Sequence, residues 1–336
     1  MSSINALEEK ILFLEKAGYD TTVTEIRYKA MLEGSTAPTI EGGHSENYHH
    51  LQTKLQLWRS QTNARFKIKV RPIIESLDLI LAKRLSVARF GDGEVDLMCG
   101  LSIPYQPYRP SLAMQLHEVL AEEDREHFLV CLPDVFEHTE RYKAEANHFW
   151  DGHLERYAKF YSKYCQSDWY GSTFISRPYI DWVNGGQAAE AFDKLKRLWQ
   201  NQDLLIVEGV ASRSGVGNDL FDSAKSIKRI ICPAQNAYDR YDDIKAAIRQ
   251  HGQNKMVLLM LGPTAKVLAY ELSKEAFWMI DLGHIDSEYE WFKMSAPYKI
   301  KLSHKHTAEF NFSDDEAELI DNETYQNQII CSIVDN

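Results

Sequence analysis

The sequence predicts an α/β protein: a Rossmann-like, mostly parallel sheet with helices on both faces, preceded by an N-terminal helical segment. Three observations carry this expectation. Six short apolar runs recur between residues 85 and 283, each ends at or just before a glycine or proline, and helical stretches separate them. Strands buried on both faces read as continuous apolar runs, and their alternation with helices is the pattern of a doubly wound parallel sheet.

In chain order, residues 1–33 read as helical, with Ile4, Leu7, Ile11 and Leu14 on one stripe and charges on the other faces. That stripe suits either a helical hairpin on the main domain or an oligomerisation or docking element. Residues 34–48, GSTAPTIEGGHSENY, have linker chemistry. Helical periodicity returns over 49–84 with Leu51, Leu55, Trp58, Ile73, Leu77, Ile80 and Leu81. The Rossmann-like domain is expected over 85–305, on the strand runs LSVARFG (85–91), HFLVCLP (127–133), DLLIVEG (203–209), IKRIIC (227–232), KMVLLMLG (255–262) and FWMIDLG (277–283). Residues 306–336 form an acidic C-terminal segment. After Lys305 there are eight acids and no Lys or Arg, which leaves about −3 of the net −11 on the rest of the chain.

Composition excludes several classes. With 44% hydrophobic residues the chain can build a core, yet no run approaches the roughly 20 apolar residues of a membrane span. The start, MSSINALEEK, lacks a secretory n- and h-region. Cys99, Cys131, Cys165, Cys232 and Cys331 are odd in number and scattered, which fits a reducing cytoplasm and no zinc site. No basic footprint for nucleic acid is present.

Ligands of open parallel sheets bind beyond the carboxyl ends of the strands, so the loops after these runs are the candidate site. The first run ends Arg89-Phe90-Gly91-Asp92-Gly93-Glu94. Gly91 and Gly93 allow a tight turn and close ligand approach, Arg89 suits a phosphate, and Asp92 and Glu94 are spaced to reach one hard cation, Mg²⁺ or Mn²⁺. The same acids read equally as a solvated turn. The fifth run ends Gly262-Pro263-Thr264 at a helix start, which is either an anion cradle or an ordinary helix cap. Asp281, His284, Asp286 and Glu290 gather proton-transfer groups after the sixth run, with Asp286 and Glu290 on one helix face if a helix starts there. Arg213 lies in a Gly/Ser loop that runs to Asn218, and Arg177 stands beside aromatics. Neither a full dinucleotide fingerprint nor a P-loop is present.

Together, SVARFGDGE (86–94), TFISRPYI (173–180), IVEGVASRSGVGNDLF (206–221), IICPAQNAYDRYDDI (230–244), LGPTAKVLAYEL (261–272) and DLGHIDSEYEWF (281–292) resemble the GT-D-type glycosyltransferases, a bacterial family that extends glycans on serine-rich repeat adhesins and related surface polymers. The resemblance implies a UDP-sugar donor, a glycan acceptor and a divalent metal, Mn²⁺ or Mg²⁺, on Asp92 and Glu94. It also implies catalytic importance for Arg213, His284 and Glu290. The Gly-rich strand-end loops themselves place Arg89, Gly91, Gly93, Arg177, Asn218, Gly262, Pro263 and Thr264 around the donor, and the N-terminal helices are the expected element for a second copy or other glycosyltransferases. Two other readings use the same residues: a metal-dependent phosphoesterase or pyrophosphatase acting on nucleotide sugars, and a non-catalytic nucleotide-sugar-binding subunit.

Overall fold

The computed structural model describes residues 67–302, 305–307 and 322–334. The helical segment expected over 1–33, the linker over 34–48 and most of the helical lead-in lie outside the described residues, and with them the docking role suggested for the first helices.

Within the described residues all six apolar runs are strands. Eight strands are present: β1 Ser86–Arg89, β2 Phe128–Leu132, β3 Gly171–Ser172, β4 Asp203–Gly209, β5 Ser226–Cys232, β6 Met256–Met260, β7 Trp278–Asp281 and β8 Ile329–Ser332. They form one sheet in the order β3-β2-β1-β7-β6-β4-β5-β8, and every neighbouring pair is parallel. Successive side chains point to opposite faces, so the burial of every residue of β1, β2 and β6 means that both faces are covered.

The covering helices are α1 Ile73–Lys83, α2 Asp92–Met98, α3 Pro110–Leu120, α4 Ala144–Tyr164, α5 Ala188–Leu198, α6 Tyr241–His251, α7 Pro263–Ser273, α8 Ile285–Lys293 and α9 Glu323–Gln328. Their sequences explain their faces. In α5, Ala188, Ala191, Phe192, Leu195 and Leu198 recur at three- and four-residue spacing and are buried. α1 buries Ile73, Leu77 and Ile80 in the same way and ends at Arg84, whose φ of 55° is left-handed. α7 is different. Pro263, Thr264, Ala265, Lys266, Val267, Leu268 and Ala269 are all buried, so this helix runs through the interior beside β1 and β7.

Two strands lay outside the sequence reading. β3 has only two residues and carries no apolar run. β8 comes from the acidic C-terminal segment and pairs with β5, so the end of that segment joins the sheet and is not simply solvated.

Candidate active site

After β4 the chain passes to β5 on one side, and after β6 it passes to β7 on the other. The sheet therefore has a topological switch between β4 and β6, where loops diverge and leave a crevice. A cleft of about 790 Å³, open to solvent, lies there. Gly209 and Ser212 line it from β4, Pro233 and Ala234 from β5, Gly262 and Pro263 from β6, and His284 and Asp286 from β7. Tyr105 and His306 also line it. A Cβ on Gly209 would come within 3.0 Å of the Ala234 Cα, so only glycine lets these two loops approach. Gly262 has φ 53° and ψ −136°, a backbone closed to other residues, and it turns β6 directly into α7 with Pro263 at the first helical position.

The Asp92–Glu94 turn is next to this cleft. Asp92 and Glu94 fall in the first turn of α2, where negative charge is favoured. Glu94 Oε2 accepts the Gly91 N–H at 2.7 Å, and its Oε1 lies 2.9 Å from Lys266 Nζ. Lys266 Nζ also stands 3.2 Å from Asp281 Oδ2 and donates to the Gly262 carbonyl at 3.0 Å. Asp281 is fully buried and takes three bonds from Arg89: the backbone N–H at 3.1 Å and Nη2 at 3.2 Å to the carboxylate, and Nε at 2.8 Å to the carbonyl. Burial alone would raise the Asp281 carboxyl, but Arg89 and Lys266 outweigh it and hold it below the usual range. Two anions and two cations thus compensate one another across β1, β7, α2 and α7.

Asp92 stands apart from that network. Its side chain is exposed. Desolvation there raises its carboxyl, the Glu94 charge raises it further, and Arg177 opposes both. Arg177 Nε is 3.9 Å from Oε2 of Glu288, a fully buried acid whose Oε1 accepts the N–H groups of Tyr179 and Ile180 at 2.8 Å each. Burial pushes Glu288 up to about 7 against the pull of Arg177 and those amides. Because the fold favours its protonated form, this contribution to stability is complete at low pH and is lost as pH rises through about 7. Glu288→Gln removes it. The variant should gain up to about 3 kcal/mol over wild type between pH 5 and pH 8. Thermal unfolding at the two pH values measures this, and an unchanging difference would contradict it.

The sequence candidates separate into groups. Asp92, Glu94, Arg177, Gly262, Pro263 and His284 gather at the cleft and the adjoining turn. Arg89 does not face the cleft: its guanidinium is used on Asp281 and on the Thr173 carbonyl at 3.3 Å. Gly91 and Gly93 make room for protein, since a Cβ would come to 3.3 Å from Glu94 Oε2 and 3.2 Å from Ile103 Cδ1 respectively. Thr264 is fully buried behind the helix start. Arg213 is buried in a left-handed conformation, φ 47°, with its guanidinium 5.2 Å from the Tyr325 ring centre.

Asp286 and Glu290 do share a face of α8. Asn218 Nδ2 donates to both, at 2.9 and 2.7 Å, and Lys305 Nζ reaches both, at 2.8 and 3.1 Å. The network fastens the 213–218 loop to α8. Lys266, Glu288 and His306 escaped the sequence reading. Lys266 left one trace, a lysine inside the otherwise apolar helix start PTAKVLA.

A divalent cation fits this turn on the chemistry of its donors. Asp92 and Glu94 offer oxygen, and the charge of Glu94 destabilises ionised Asp92, a repulsion that a cation would relieve. Among the described residues no group of three or more His, Cys, Asp or Glu is placed to hold a metal. Such an ion would therefore take its remaining ligands from substrate phosphates and water.

A doubly wound parallel sheet with an open cleft at its switch point, beside acids and an arginine, places the chain among the α/β proteins that bind ligands at the carboxyl ends of their strands. The profile of the glycosyltransferase GT-D fold family matches residues 87–310, and the chain belongs to that family. It is 55% identical over 267 residues to a probable glycosyl transferase, Gly, of Streptococcus gordonii, covering 80% of this chain and 39% of that protein. It is 51% identical over 267 residues to the glycosyltransferase GlyD of Streptococcus pneumoniae serotype 4, covering 80% of this chain and 33% of that protein. The chain thus spans between a third and two fifths of the length of these relatives. Among solved structures, a new glycosyltransferase (DUF1792) from Streptococcus sanguinis superposes with TM-score 0.78 at 54% identity, covering 80% of this chain and all of that one. Another, described as a highly conserved domain with a distinct glycosyltransferase fold, gives TM-score 0.79 at 52% identity, covering 81% and 98%. Among the described residues no helix is long and apolar enough to cross a membrane.

Proposed function

We propose that the chain transfers a hexose from a UDP-sugar to a glycan acceptor, protein-linked or part of a surface polysaccharide, with Mn²⁺ or Mg²⁺ at Asp92 and Glu94. The observation that carries this reading is the continuity between cleft and turn: Gly262 lines the cleft, and its carbonyl accepts from the Lys266 ammonium that holds Glu94. In this reading the nucleotide occupies the cleft between the Gly209 and Gly262 loops, with its diphosphate toward Asp92 and Arg177. The cation, when bound, neutralises the departing diphosphate. Arg177 adds positive charge on the same side, and Glu288 holds it there.

Glu290 is compensated by Asn218 and Lys305, so its task is to fix the 213–218 loop. His284 lines the cleft and is the group assigned to the acceptor hydroxyl and its proton. The family relation supports the glycosyl transfer. A panel of nucleotide sugars offered with Mn²⁺ tests the proposal by binding and by turnover. A UDP-hexose should bind and be consumed faster when a glycan acceptor is added. Binding of no UDP-sugar, or consumption indifferent to every acceptor, would refute it.

A further inference from the structure

Lys266 is an unusual residue to find in a helix interior. Its side chain is about 5% exposed, and its ammonium has three oxygen neighbours: Glu94 Oε1 at 2.9 Å, the Gly262 carbonyl at 3.0 Å and Asp281 Oδ2 at 3.2 Å. Asp281 has a second cation in Arg89, whereas Lys266 is the one cation recorded within ion-pair distance of Glu94 among the described residues. Both Glu94 oxygens are occupied, one by this ammonium and one by the Gly91 N–H. Asp92 keeps an exposed side chain, with Arg177 as the charge that opposes the Glu94 carboxylate there.

We propose that Lys266 is an internal counter-ion of Glu94 that a divalent cation has to displace, so that the cation is taken up together with a nucleoside diphosphate and not ahead of it. This rests on the reading of Asp92 and Glu94 as cation ligands. A dication arriving alone would meet a positive charge already seated on one of its two carboxylates. Like-charge repulsion in a partly desolvated site is larger than in water. A diphosphate changes the balance. It brings negative charge to the Gly262 side, where the ammonium is already tethered by the Gly262 carbonyl, and lysine is a common partner of phosphate. Lys266 can then exchange Glu94 for phosphate without being left as an uncompensated buried charge. It acts through Glu94 and is a positioning residue.

The test is calorimetric titration of Mn²⁺ into the full chain, with and without saturating UDP. In wild type, UDP should tighten Mn²⁺ binding by about tenfold or more. Lys266→Met, and Lys266→Gln, which keeps a hydrogen-bond donor, should bind free Mn²⁺ about tenfold or more tighter than wild type, so that UDP adds little. Thermal unfolding of each variant shows whether it is folded, and the Gln variant decides if the Met variant is not. Wild type that binds free Mn²⁺ as tightly as it does with UDP overturns the proposal without any variant. A folded Lys266 variant with no gain in free Mn²⁺ affinity also overturns it. Failure of the underlying reading has its own pattern: Asp92→Asn and Glu94→Gln would then titrate like wild type in every condition, which places the cation elsewhere and removes the proposal with it.

Discussion

Asp92→Asn is expected to lower glycosyl transfer by roughly two to three orders of magnitude while leaving the fold as stable as before or more so. On the proposed function, the activity term follows from the loss of a charged cation ligand beside the departing diphosphate, worth several kcal/mol in the transition state. The stability term follows from the raised carboxyl: its surroundings and the Glu94 charge disfavour ionised Asp92, so a neutral amide removes a cost. Glu94→Gln should lose activity as well, but here stability falls too, because the ion pair with buried Lys266 goes with the charge while the amide oxygen can still accept the Gly91 N–H. Steady-state rates with and without chelator, run beside thermal unfolding, check both. Asp92→Asn with wild-type activity would return the turn to a solvated surface feature.

Asp281→Ala should destabilise the protein by about 3–5 kcal/mol, which lowers the melting temperature by roughly 10 °C. Asp281 is fully buried between Arg89 and Lys266. Its removal strands the Arg89 guanidinium and leaves Lys266 with Glu94 alone, and an uncompensated buried charge costs far more than the intact pair contributes. Denaturant or thermal unfolding measures the effect. A shift under about 1 kcal/mol would show that the network is not what ties β1 and β7 to α7.

Most of the sheet was legible in the sequence. Strands covered on both faces must be apolar throughout, and β1, β2, β4, β5, β6 and β7 each announced themselves as an apolar run. β3 was not legible because two residues make no pattern, and β8 was not because its four residues follow an acidic stretch. The site was legible in part. Asp92, His284 and the Gly262 turn sit at strand ends, where the fold rule places ligands. Arg89 has the same address, yet its side chain turns inward to Asp281, 192 residues away. Lys266 and Glu288 resemble ordinary helix charges in sequence, and they acquire meaning only from partners brought near by folding. Gly91 and Gly93 were read as ligand clearance, whereas their space is filled by Glu94 and Ile103.

The most direct measurement is a crystal structure of the chain with UDP and Mn²⁺. The account predicts the nucleotide in the cleft between the Gly209 and Gly262 loops, its diphosphate directed to Asp92 and Arg177, and the ion on Asp92 and Glu94. A nucleotide bound away from that cleft, or a diphosphate turned from the Asp92 side, would contradict it.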